Sequence, residues 1–116
     1  MTQDFDADEF CRRHAVVPDA PSPGDKLGIA LSTLHLPPLN GLRHPRESGT
    51  CGWFIWGGSQ ISDEPDFFEP LHVSHLPQIC PRALPFLALP AGWRFLAADG
   101  QLDVWHDESL KHTGEG

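Results

Sequence analysis

The sequence predicts an α+β fold: a small, mainly antiparallel sheet of about four strands packed against an interrupted helix, with a short N-terminal helix. Three observations carry this expectation. "CGWFIWGG", 51–58, places large apolar side chains on both faces of a two-residue period, the pattern of a central strand covered on both sides. "WRFLAADGQLDVWHD", 93–107, sets Asp99–Gly100 between two alternating runs, and that dipeptide is the favoured two-residue hairpin turn. Residues 74–89 carry apolar side chains at roughly helical spacing, broken by Pro77, Pro81 and Pro85. Regular strand–helix alternation is missing, which argues against a parallel α/β design.

Taken in order, residues 6–14 form a short helix. Asp6 is its cap, Glu9 three residues on resembles a capping box, and Phe10 is its buried anchor. Arg12, Arg13 and His14 fall in the last turn, where cations suit the negative helix end. "PDAPSPGD", 18–25, is an exposed proline-rich connector. "KLGIALSTLHL", 26–36, reads as a strand with small residues on one face. "PPLNGLRHPRESGT", 37–50, has turn chemistry in its prolines and Asn40–Gly41 and too little periodicity for a helix, so it reads as a long loop. "SQISDEPDFFEP", 59–70, reads as an acidic loop around an aromatic pair. The 74–89 helix, with Ser74 at its N-cap, either kinks or splits near Pro81, because proline removes a hydrogen bond from a helix interior. In the final hairpin, Trp93, Phe95 and Ala97 alternate with Arg94, Leu96 and Ala98 before the turn, and Leu102 and Val104 with Asp103 and Trp105 after it. The organisation is therefore an acidic helix and connector over 1–25, one globular unit over 26–110, and a frayed tail over 111–116.

Composition bounds the function. The 116 residues suit one domain, with 40% hydrophobic residues and four tryptophans for a core. No apolar run approaches the ~20 residues of a membrane span. "MTQDFDADEF" carries acids and no early basic residue, unlike a signal peptide, so the expected location is cytoplasmic. Cys11, Cys51 and Cys80 form no C-x-x-C pair and are expected to be buried thiols rather than a disulfide framework. Sixteen acids against eight bases give a net charge of −8. Binding to nucleic acid or an anionic membrane needs a basic track that this chain lacks, whereas its charge suits steering toward a basic protein.

Chemistry is sought first in "FFEPLHVSHLPQICP", 67–81. A metal-binding enzyme or sensor centred on His72, His75 and Cys80 is the alternative reading it raises. Against it, His72 and His75 share a face only if the helix already runs through 72, and a helix starting at Ser74 leaves His72 outside. "HVSH" also lacks the glutamate and spacing of H-E-x-x-H. No serine lies in a G-x-S-x-G elbow, and "GWFIWGG" lacks the lysine of a phosphate loop. A further option is a small-ligand site on the 37–50 loop and exposed tryptophans. No catalytic residue, cofactor or metal ligand is assigned.

"LGIALSTL", "PLNGLRHP", "CGWFIWGG", "DFFEPLHVSHL", "LPAGWRFLAADG" and "DVWHDESL", in that order, resemble the bacterial Imm33-like immunity protein family over about residues 26–110. The resemblance implies a small non-enzymatic cytoplasmic protein made beside a polymorphic toxin, often one delivered by contact-dependent or type VI secretion. It would bind that toxin and block it, protecting the producing cell, with the toxin encoded by the adjacent gene. The candidate partner-binding residues are Asp63, Glu64, Asp66 and Glu69 on the loop after the tryptophan strand, and Asp103, Trp105, Asp107 and Glu108 on the last strand and its exit. Phe67, Phe68 and Leu71 are expected to pack inward beneath the first acidic group.

Overall fold

The structure, a computed structural model, describes residues 7–47, 49–62 and 64–112. Its strands are β1 (Lys26–Ile29), β2 (Leu39–Arg43), β3 (Thr50–Gly57), β4 (Glu69–His72), β5 (Trp93–Ala98) and β6 (Gln101–His106). Two α-helices, α1 (Ala7–Arg13) and α2 (Leu76–Ile79), are joined by 3₁₀ segments at Leu31–Thr33, Val73–His75, Pro81–Phe86 and Glu108–His112. The strands form one six-stranded sheet in the order β4–β1–β3–β2–β5–β6. The α+β class is as expected, but the sheet is larger and mixed: β1 runs parallel to β3, and the other pairs are antiparallel.

The extra strands lie in segments expected to be loops. Residues 39–43 form β2, seated between β3 and β5. Asn40 does not make a turn here. Its amide donates to the carbonyls of Pro38, Trp56 and Gly58, tying β2 to the end of β3. Gly41 lies opposite Phe95, and a Cβ there would collide with the Phe95 ring. Glu69–His72 forms β4, a short edge strand whose Pro70 faces Gly28, since proline is tolerated at sheet edges. Conversely, the strand expected over 26–36 ends at Ile29 and turns into the 3₁₀ segment at 31–33.

The remaining expectations divide. The 74–89 helix splits at Pro81 into α2 and the 3₁₀ segment 81–86, which contains Pro85. Ser74 is not its cap: His75 precedes α2, with no side-chain cap hydrogen bond. Helix α1 begins at Ala7, and Asp6, its expected cap, lies outside the described residues. The Asp99–Gly100 hairpin forms in the expected register, Ala98 opposite Gln101 and Arg94 opposite Trp105. All three cysteines are free and buried. No described helix is long and apolar enough to cross a membrane.

Core and helices meet on one face of the sheet, the inner face. Leu27, Ile29, Leu39, Cys51, Trp53, Ile55 and Phe95 point there, against Leu76, Cys80, Ala83, Phe86 and Leu89. Phe86 stacks on Phe95 at 4.2 Å, and Phe10 of α1 meets Phe86 edge-on at 5.1 Å. Cys11 of α1 is fully buried in the same cluster. The 18–25 connector is exposed in its side chains but stitched through its backbone: Asp19 N–H donates to Ala88, Val73 N–H to Asp25 and Ser74 N–H to Pro23. Because the Phe95 ring at Gly41 is held by Phe86, it cannot yield to a new methyl. Gly41→Ala is therefore expected to destabilise the protein by about 2–3 kcal/mol, measured by urea denaturation; a loss under about 0.5 kcal/mol would refute this packing account.

One charged side chain belongs to this core. Arg43, at the end of β2, is completely buried. Its Nε donates to Cys51 O at 2.9 Å, and its Nη1 to the carbonyls of Asp19, Leu87 and Leu89 at 2.7, 3.2 and 2.8 Å. The guanidinium lies 5.8 Å from the Trp53 ring centre. Burial lowers its affinity for the proton, while Asp19 raises it.

Candidate functional site

The opposite, outer face of the sheet divides in two. Over β1 and β3 lie Phe67 and Phe68, with Phe68 against Phe54 at 5.1 Å and Trp56 at 6.1 Å, and Phe67 against Phe68 at 4.9 Å. The aromatic pair of the acidic loop is thus a cover for the outer face, and Trp56 is left 4% exposed. Phe67, Phe68 and Leu71 are half-buried, while Glu64, Asp66 and Glu69 are exposed, as the sequence implies. Asp63 lies outside the described residues.

The β5–β6 half is more open. Cross-strand register sets Arg94 beside Trp105 and Leu96 beside Asp103. Trp105 keeps 38% exposure and Leu102, on the inner side of β6, keeps 47%. The Arg94 guanidinium lies 5.4 Å from the Trp105 ring centre, within cation–π range. Arg94 Nη1 donates to Asp107 Oδ2 at 3.2 Å. The other Asp107 oxygen accepts from Ser109 Oγ at 2.7 Å and Ser109 N–H at 3.1 Å. Arg94 Nε is shielded, with no hydrogen-bond partner among the described residues. His106 Nδ1 lies 3.7 Å from Glu108, and Gln101 donates to Asp103 at 3.3 Å.

The two acidic groups are therefore not one patch. Glu69 stands on β4 and Asp103 on β6, the opposite edges of a six-stranded sheet, about 24 Å apart at ~4.8 Å per strand step. Asp103, Trp105, Asp107 and Glu108 do come together, on one hairpin and its exit. Arg94 and Leu102 join them, and neither is a candidate on sequence grounds. The Asp99–Gly100 turn, counted outward, places Arg94 opposite Trp105, so that signal was present.

Hydrogen bonds from Ser109, and then the Arg94 guanidinium, hold the Asp107 carboxyl below the usual carboxylate range. A lowered folded pKa contributes stability that is present above the unfolded value and disappears as pH falls through the folded one. Asp107→Asn is accordingly expected to be less stable than the unmodified protein at neutral pH, with the difference shrinking as pH falls below the ordinary aspartate value of about 3.9. Thermal unfolding across pH checks this; a difference that stays constant as the solution is acidified below that value would exclude the linkage.

The histidine–cysteine stretch does not assemble a donor set. His72 ends β4, His75 precedes α2, and their ring centres are 6.0 Å apart. Cys80 is buried at the far end of α2, and burial pushes its thiol pKa up, away from the thiolate a metal needs. Among the described residues no three histidine, cysteine or carboxylate side chains are placed to hold a metal ion.

A sequence model of the Imm33-like domain matches residues 6–107, most of the chain. No curated protein and no solved structure matches.

Proposed function

Since the chain belongs to the Imm33-like domain family, we propose that it is an immunity protein, one that binds a cognate bacterial toxin and blocks it without chemistry of its own. Family membership is the observation that carries this reading. The hairpin surface supports it physically. An inhibitor needs rigid, exposed anchors, and Trp105 is a tryptophan half out of the surface, braced by Arg94; tryptophan is enriched at binding hot spots. The acids around it, in a chain of net charge −8, suit a basic toxin cleft and fast, salt-sensitive association. In this reading the protein acts in the cytoplasm of the producing cell, and its partner is a secreted effector encoded by the adjacent gene, of the contact-dependent or type VI kind.

Co-expression tests it. The adjacent gene product alone should arrest growth, and this protein should restore it. A product that is harmless alone, or equally lethal with and without this protein, defeats the proposal.

A further inference from the structure

Strand β6 pairs with β5 on one side and has no strand partner on the other among the described residues. Its phase is fixed at its end, where Asp107 N–H donates to Gly92 O at 2.6 Å. Antiparallel hydrogen bonding alternates, so Trp105, Asp103 and Gln101 turn their backbone groups toward β5. Those of His106, Val104 and Leu102 therefore point away from the sheet, a row of unpaired N–H and C=O groups along the free edge.

Such an edge invites another strand, and proteins ordinarily blunt it with lysine, proline or a bulge. The β4 edge follows that practice: it is short and carries Pro70. The β6 edge does not. It has six residues with neither lysine nor proline, and its register with β5 is unbroken. What guards it is negative charge, from Asp99, Asp103, Asp107 and Glu108 around the hairpin. Of the arginines near the hairpin, Arg94 is engaged by Asp107 and Trp105, and Arg82, which shares a pocket with Asp99, donates to Leu34 O. Like charges opposed across strands repel, so these acids disfavour a second copy of this chain and favour a basic strand. Exposed Leu102 and Trp105 lie on opposite faces of β6 and bracket the edge, ready to be covered by an added strand.

We infer that β6 is a docking edge, onto which a basic extended segment of the partner toxin adds as a further strand. Its backbone bonds the outward groups of Leu102, Val104 and His106, its cations face Asp103, Asp107 and Glu108, and its apolar residues cover Leu102 and Trp105. Main-chain bonds supply affinity in strand addition and side chains supply selectivity. The inference rests on the toxin-binding reading and names the surface and partner chemistry for it.

The test separates the two. Leu102→Pro deletes one outward N–H and costs no bond to β5, while Leu102→Ala keeps that N–H. Two probes are used: a synthetic peptide alternating lysine and valine, and an inactivated form of the adjacent gene product. Hydrogen exchange reads the amides of Leu102, Val104 and His106. Either probe is expected to slow their exchange, and toxin affinity is expected to fall at least tenfold in Leu102→Pro and less than about threefold in Leu102→Ala. The double variant Asp103→Lys, Glu108→Lys leaves the backbone alone and should lose toxin binding even if Leu102→Pro disrupts the hairpin. Equal toxin binding by the unmodified protein, Leu102→Pro and the double variant overturns the docking edge and leaves the immunity reading standing. A toxin that does not bind, with the peptide still protecting the three amides, sinks the immunity reading and leaves the edge. Protection by neither probe, or protection produced by raising the concentration of this protein alone, overturns the edge outright.

Discussion

Replacing Arg43 with methionine is expected to lower stability by about 3–5 kcal/mol in urea denaturation at neutral pH. Methionine fills much of the arginine volume, so the effect isolates the polar head. That head serves four carbonyls from three separate segments: Asp19 in the connector, Cys51 in β3, and Leu87 and Leu89 after the 81–86 turn. Leu87 O retains a donor in Trp53 Nε1, at 2.9 Å. The other three carbonyls would lose the arginine donor, and an unsatisfied buried polar group costs about 1–3 kcal/mol. Relief of burying the guanidinium, whose Nη2 has no partner among the described residues, offsets part of this. Lysine should recover little, because a single ammonium cannot replace a planar fork that bonds in several directions. A loss below about 1 kcal/mol would show that Arg43 is a tenant of the core rather than its tie.

Under the proposed toxin-binding function, Trp105→Ala is expected to weaken binding of the adjacent gene product by about 30–100-fold, the scale of a tryptophan hot spot, while changing stability by no more than about 1 kcal/mol. The asymmetry follows from placement. The indole is 38% exposed on the edge strand, and its described ring contact is with the Arg94 guanidinium. Removing it empties little of the core but takes away the largest exposed apolar face on the hairpin. Trp105→Phe should retain much of the affinity. Calorimetric titration of the three proteins with the inactivated toxin decides it, and less than a threefold change in Trp105→Ala would remove Trp105 from the interface.

Legibility in the sequence followed where the information was local. Strand β3 declares itself through Trp53, Ile55, Phe54 and Trp56 on two faces, and the β5–β6 hairpin through Asp99–Gly100. Strand β2 is hidden because each of its unusual residues is explained by something far along the chain. Gly41 is small to admit Phe95, Asn40 bonds carbonyls at the end of β3, and Arg43 is buried by four distant carbonyls. Without those partners "PLNGLRHP" reads as turn residues and charge. Strand β4 is hidden for the opposite reason: an exposed four-residue edge strand containing a proline carries almost no pattern of its own. The candidate surface was half legible. Alternation and acidity single out Asp103, Trp105, Asp107 and Glu108, but the separation of this group from Glu69 depends on sheet order, which no local pattern encodes.

The sheet order also sets a timetable for a chain emerging from the ribosome. Strands β2 and β3 are neighbours in sequence and can zip early, and β1 and β4 extend that assembly on one side. The other flank of β2 stays open until β5 has been made, and Trp105 is not set beside Arg94 until β6 has folded back on β5. Distant pairings of this kind are slow to close. A nascent chain can therefore possess a seated tryptophan strand before the β5–β6 hairpin exists. In the proposed function, binding waits until translation has passed His106, which makes recognition a property of the completed sheet rather than of its early core.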